Sequence, residues 1–100
     1  MPIQVNYDRA ALQAFCRQWQ VSELSLFGSA VSVDFGPGSD VDVLVTFAPD
    51  AGWSLMDWAD MVDDLKEIFG RPVDLVEKQG LRNPFRRKSI LDSAEVIHAA

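Results

Sequence analysis

Leu24-Ser25-Leu26-Phe27-Gly28-Ser29, ten residues, then Asp40-Val41-Asp42-Val43-Leu44-Val45 is the stretch that most limits what this chain can fold into. Both halves have the composition of apolar strands. The first breaks at Gly-Ser, and the second opens with two carboxylates two residues apart. Glycine permits a close backbone approach or an unusual φ, and serine adds a hydroxyl and an amide at a helical start. That pairing can hold the β- and γ-phosphates of a nucleotide. Side chains alternate across a strand, so Asp40 and Asp42 share a face, with Cα atoms roughly 6.5–7 Å apart. Two such carboxylates can converge on one ion, or bridge two ions about 3.5–4 Å apart. Mg²⁺ suits the arrangement, because it takes one or two protein carboxylates and fills its shell with water and phosphate oxygens. Taken singly, Gly-Ser also makes ordinary turns, and Asp-x-Asp is equally a solvated loop-to-strand junction. Taken together they point to a nucleoside triphosphate handled with Mg²⁺.

Asp74 bears on that choice. It interrupts the apolar run Val73-Asp74-Leu75-Val76, where a carboxylate is unwelcome if the strand is central. Beside the second strand, it would reach the face of Asp40 and Asp42. Three carboxylates repel one another without a cation, so such a cluster reads as a metal cage. Asp74 would then be the metal-bound general base for an incoming hydroxyl. The alternative is an edge strand with Asp74 in water.

The remaining elements follow from caps and periodicity. Asp8 is an N-cap for a helix over residues 9–19, with Ala11, Leu12, Phe15 and Trp19 on one face. Strand one spans Glu23–Phe27, and Gly28-Ser29 ends it and starts a short helical turn. Gly and Pro make residues 34–39 a loop, and strand two runs over residues 40–47. Ser54 caps a helix with Leu55, Trp58, Ala59, Val62, Leu65 and Phe69 on one side and Asp57, Asp60, Asp64 and Glu67 on another. Gly70 stops it. Strand three is Val73–Val76. A final helix starts near Asn83-Pro84 and carries Phe85, Ile90 and Leu91, and residues 95–98 add a closing strand. With no repeat or linker, residues 1–100 read as one small mixed α/β domain.

Composition removes several classes of function. A net charge of −6 lacks the dominant basic footprint of a general nucleic-acid binder, although Lys78, Arg82, Arg86, Arg87 and Lys88 form a basic stretch. Each charged stretch reads first as a solvated helix face. No apolar run reaches the roughly 18–20 residues of a membrane span, and the amino terminus lacks a signal-peptide pattern. Cys16 is the only cysteine, so an internal disulfide is impossible and a buried thiol is expected beside Phe15 and Trp19. His98 is the only histidine and reads as a surface residue, which excludes a Ser-His-Asp site, and no Cys/His set exists for zinc. Trp19 and Trp58 belong to apolar helix faces. Trp53, in a loop, is the aromatic left for a partner or nucleobase contact.

The Gly28-Ser29 and Asp40-Val41-Asp42 pattern resembles the signature of the DNA polymerase β-type nucleotidyltransferase superfamily. Gly70-Arg71-Pro72-Val73-Asp74-Leu75-Val76 resembles its third-carboxylate strand. The short length, the acidic helix and the segment Ile90-Leu91-Asp92-Ser93-Ala94 are similar to the minimal nucleotidyltransferases (MNT), over about Glu23 to Ile97. The resemblance implies an α+β fold, a mixed sheet with flanking helices. It also implies Mg²⁺-dependent transfer of AMP from ATP to a hydroxyl. Gly28 and Ser29 would bind the nucleotide, Asp40 and Asp42 would ligate metal, and Asp74 would bind metal and activate the acceptor. Members commonly act as cytoplasmic antitoxins in hetero-oligomers with a HEPN ribonuclease toxin, adding AMP to a toxin tyrosine or binding the toxin directly.

The chain departs from the family pattern just after Ser29. Members often carry a run such as Arg-Ala-Arg-Gly there, and this chain has Ala30-Val31-Ser32-Val33. Two cations that would neutralise triphosphate are absent, and Arg82, Arg86 and Arg87 are the candidates to replace them. The leading expectation is an active transferase that modifies a protein partner. The alternative is an inactive binding module that silences its partner by occlusion, and a third is one subunit of a split small-molecule nucleotidyltransferase.

Overall fold

The computed structural model describes residues 5–31, 36 and 38–99, with only the backbone of Ser29 and Ala30. The order is α1 (Arg9–Gln18), β1 (Val21–Phe27), a 3-10 turn (Gly28–Val31), β2 (Val41–Phe47), α2 (Leu55–Phe69), β3 (Val73–Glu77), a second 3-10 turn (Lys78–Gly80), α3 (Pro84–Ser93) and β4 (Glu95–Ala99). This is the expected α+β sequence of elements. Of the loop expected over residues 34–39, only Gly36, Gly38 and Ser39 lie within the described residues.

Local chemistry sets the helix ends. The Asp8 carboxylate accepts from the amides of Ala10 and Ala11, two of the donors a helix start leaves without partners. At α2, Ser54 and Asp57 form a reciprocal capping box, with bonds of 3.1 and 3.0 Å. Gly70 closes α2 in the left-handed conformation, at φ +66°, and donates to the Lys66 carbonyl. Asn83 caps α3, with Pro84 in its first turn. Strand β1 starts two residues before the expected Glu23, because Val21 pairs with Phe47 beyond an irregularity between Val21 and Glu23.

The four strands form one sheet in the order β3-β2-β1-β4. Both β1–β2 and β1–β4 are antiparallel, whereas β2–β3 is parallel. Alternation then separates two faces. Leu24, Leu26, Val41, Val43, Val45 and Leu75 pack on one side against Leu12, Phe15 and Cys16 of α1 and Met61, Leu65 and Phe69 of α2. On the other side Phe27 and Leu44 meet Leu81 and Ile90, and α3 is the one helix that covers this face among the described residues. Each fully buried aliphatic side chain contributes roughly 1.5–3 kcal/mol.

Two expected apolar faces were drawn too wide. Leu55 is 89% exposed and Phe85 84% exposed, although both fit the helical period. Each lies in the first turn of its helix, and the buried residues begin further on, at Met61 in α2 and Ile90 in α3. Among the described residues, no helix is long and apolar enough to cross a membrane.

Candidate active site

The backbone gathers the expected site residues at one end of the sheet, on the α3 face. β1 arrives there with Phe27 and Gly28, while β2 and β3 both begin there. Register pairs Phe27 with Asp42 across β1–β2, and Asp42 with Asp74 across β2–β3. Parallel register partners point to the same face, and neighbouring strands lie about 4.8 Å apart, so these two carboxylates are side by side. Asp40 is not in the strand as expected: β2 begins at Val41, whose amide donates to the Pro72 carbonyl at 2.9 Å. It precedes Asp42 by two residues at the mouth of the strand. Asp42 is half-buried, and Asp40 and Asp74 are exposed.

Gly28 completes the arrangement. Its φ of +62° belongs to the left-handed region, and a Cβ there would collide with Oδ2 of Asp42. The absent side chain makes room for the Asp42 carboxylate to lie against the backbone where the chain turns. Ser29 follows in the 3-10 turn, and its side chain lies outside the described residues. Val31, two residues later, is buried in the core. The positions where the family run carries arginine are 30 and 32. The side chain of Ala30 and all of Ser32 lie outside the described residues.

Asp74 combines the two readings that its sequence left open. β3 is an edge strand and Asp74 is exposed, so the argument from a buried central strand does not apply. It is nevertheless the register partner of Asp42. Among the described residues, no three His, Cys, Asp or Glu side chains stand together as a ready-made metal cage. What the fold sets is a carboxylate pair, one member of which packs against the backbone of a glycine turn. That fits Mg²⁺, which needs only one or two protein carboxylates when phosphate oxygens supply further ligands.

The basic residues lie elsewhere. Arg87 donates to the Lys78 carbonyl at 3.2 Å, and Lys78 pairs with Glu23 at 3.6 Å. Lys78 follows the last residue of β3, about 13 Å along the strand direction from Asp74 at 3.3 Å per residue. Arg82 and Arg86 flank the start of α3 at that same far end. These three arginines are therefore not replacements for cations beside Gly28. Sequence reasoning missed Arg71, whose guanidinium donates to the Gly36 carbonyl at 2.6 Å and the Ser39 carbonyl at 3.4 Å. A cation one residue before Pro72 and three before Asp74 was the available signal.

Two further expectations need correction. Trp53 is half-buried: its indole donates to the Trp19 carbonyl at 3.1 Å, and its ring meets Trp19 edge-to-face at 5.1 Å. It is a packing residue beyond the C-terminal end of β2, away from Asp42. His98 lies on the edge strand β4, opposite Leu24, and is half-buried rather than fully exposed.

The fold agrees with known proteins. The description "Nucleotidyltransferase domain" matches residues 9–97. The chain belongs to this nucleotidyltransferase family. Two proteins of Methanocaldococcus jannaschii named "putative protein adenylyltransferase" are similar to it. One is 32% identical over 73% of each chain, and the other is 33% identical over 73% of this chain and 72% of its own. A solved "putative minimal nucleotidyltransferase" is 30% identical with a TM-score of 0.69, covering 87% of this chain and 86% of its own. A toxin-antitoxin structure with AMP-PNP shares the fold at a TM-score of 0.73 and 16% identity, over 93% of this chain and 74% of that one. A tri-AMPylated Shewanella oneidensis HEPN toxin in complex with MNT antitoxin gives 0.65 and 15%, over 92% and 70%. The described residues of this nucleotidyltransferase thus form a four-stranded mixed sheet with three helices, like the minimal nucleotidyltransferase structure.

Proposed function

We propose that this nucleotidyltransferase transfers AMP from ATP to a hydroxyl, a tyrosine of a partner HEPN-type toxin, and acts in the cytoplasm as that toxin's antitoxin. The observation that carries the reading is the Asp42–Asp74 register pair with Gly28 against the Asp42 carboxylate. The names of the relatives support protein as acceptor, and the toxin-antitoxin complexes with this fold support a toxin partner.

In this mechanism the Gly28–Val31 turn receives the triphosphate, with Gly28 and Ser29 lying against the β- and γ-phosphates. Asp40, Asp42 and Asp74 would hold Mg²⁺, which when bound neutralises phosphate charge and acidifies the acceptor hydroxyl. Asp74, exposed on the edge strand, is the carboxylate an incoming protein side chain reaches, and it takes the hydroxyl proton. The acceptor oxygen forms its bond to the α-phosphorus, the bond from that phosphorus to the bridging oxygen breaks, and pyrophosphate leaves.

The test is intact mass spectrometry of the HEPN partner bound by this chain, after incubation with ATP and Mg²⁺, beside an Asp42→Asn control. Mass gains of whole AMP units that vanish with Asp42→Asn support the reading. An unmodified partner that stays bound and silenced equally by both proteins sinks it. That result would favour inhibition by occlusion, the reading suggested by the remoteness of Arg82, Arg86 and Arg87.

A further inference from the structure

We infer that Arg71 is a positioning residue that fixes the backbone on both sides of Asp40 to the start of β3, and so sets Asp40 relative to Asp74. Gly36 and Ser39 close a small turn on themselves: the Ser39 amide donates to the Gly36 carbonyl at 3.0 Å, and the Gly36 amide donates to the Ser39 hydroxyl at 3.1 Å. Both of its carbonyls point at one nitrogen of Arg71, at 2.6 and 3.4 Å. On the other side of Asp40, the Val41 amide donates to the carbonyl of Pro72, the residue after Arg71. Asp40 is thus held between two anchors that belong to the same dipeptide.

Asp40 lacks the support of the strand itself, since β2 begins one residue later. An aspartate at a loop-strand junction has many backbone conformations, and a metal ligand has to be restricted to few. A guanidinium nitrogen holds its two charge-assisted N–H donors in a fixed plane, so the one nitrogen that meets both carbonyls also fixes their directions, which a freely rotating ammonium does less well. Pro72 adds a fixed φ and leaves its carbonyl for Val41. The clasp couples the mouth of β2 to the strand that carries Asp74, so Asp40 and Asp74 move as one unit.

The catalytic consequence rests on the proposed nucleotidyl transfer, so the test includes readouts that do not. Arg71→Ala and Arg71→Lys are compared with the parent in three measurements. These are amide hydrogen exchange of the chain alone, Mn²⁺ binding with α,β-methylene-ATP followed by electron paramagnetic resonance, and transfer kinetics on the HEPN partner. In Arg71→Ala, exchange at Ser39 and Val41 accelerates about 10-fold while Leu24 and Leu26 are unchanged. Mn²⁺ affinity falls about 10- to 100-fold, as it does when a residue supporting a metal ligand is removed. The loss of transfer resides in kcat more than in KM for ATP, and Arg71→Lys recovers part of each effect. Unchanged exchange at Ser39 and Val41 overturns the clasp. Faster exchange with parental Mn²⁺ affinity and kcat reduces Arg71 to loop packing and also overturns the inference. Faster exchange in a protein whose parent neither binds Mn²⁺ with the analogue nor transfers AMP upholds the backbone clasp, and it is the functional reading that then fails.

Discussion

Gly28 meets the Asp42 carboxylate through the side where other residues carry a Cβ. That atom would collide with Oδ2 and lie 3.4 Å from Cγ. Gly28→Ala therefore has two effects that can be measured separately. Holding alanine at φ +62° costs about 1–2 kcal/mol, which for a chain of this size lowers Tm by several degrees. The methyl group also displaces the carboxylate, and a misplacement of about 1 Å at a reacting centre lowers the rate about 100-fold. Thermal melts and AMP-transfer rates on the same preparation test this. A variant that melts several degrees lower yet transfers at the parental rate would show that the close approach of Gly28 to Asp42 has no part in the chemistry.

The contrast between Gly28 and Trp53 explains what was legible in the sequence. Gly28 and Asp42 could be read because a strand that breaks at glycine and a strand that opens on carboxylates carry their signal locally, whereas Asp74 joins them only through the β2–β3 pairing. The caps at Asp8, Ser54, Asn83 and Gly70 were readable for a similar reason, since each satisfies backbone groups within a few residues. Trp53 was misread because its partner, Trp19, is 34 residues away in sequence, and no local pattern reports that contact. Arg71 was passed over because its acceptors are backbone carbonyls of the 36–39 segment, which carry no side-chain signal. The strand order, with β3 at the edge, likewise depends on long-range pairing.

The Asp42–Asp74 pair makes a prediction about charge. Two carboxylates side by side on neighbouring strands repel each other when no cation is bound. Asp74→Asn should leave the metal-free chain at parental stability or raise its Tm slightly, while the stabilisation gained from Mg²⁺ with ATP disappears. Calorimetry with and without Mg²⁺-ATP reads both quantities. A variant that retains the full Mg²⁺-ATP shift in Tm would remove Asp74 from the metal set.

Asp64 differs from the other acids of α2. Its Oδ2 accepts the Trp19 indole at 3.1 Å, and that bond ties α2 to the end of α1. A hydrogen bond to a charged acceptor contributes about 1.5–3 kcal/mol, less at a half-buried site. Asp64→Ala should destabilise the fold by about 1–2 kcal/mol, whereas Asp60→Ala, on the exposed face of the same helix, should change stability by under about 0.5 kcal/mol. Transfer activity should be unaffected by either. Equal denaturation midpoints for the two variants would mean the indole bond contributes nothing.

Cys16 sets a limit at high pH. Burial in the core pushes its thiol up from the ordinary 9.0 to about 11, because the thiolate would be poorly solvated there. The folded chain therefore holds this proton more tightly than the unfolded chain does. Below pH 9 both states are protonated and the stability is fully present. Between pH 9 and about 11 unfolding releases the proton, so stability falls as pH rises, by about 2 kcal/mol at most. The quantity to follow is the difference between the parent and Cys16→Ala, measured by urea denaturation at pH 8, 9.5 and 11. That difference should shift against the parent as pH rises, and a thiol reagent at pH 8 should label the native chain slowly and the urea-unfolded chain fast. A pH-independent difference combined with rapid native labelling would mean that the thiol is reached by water in the folded chain.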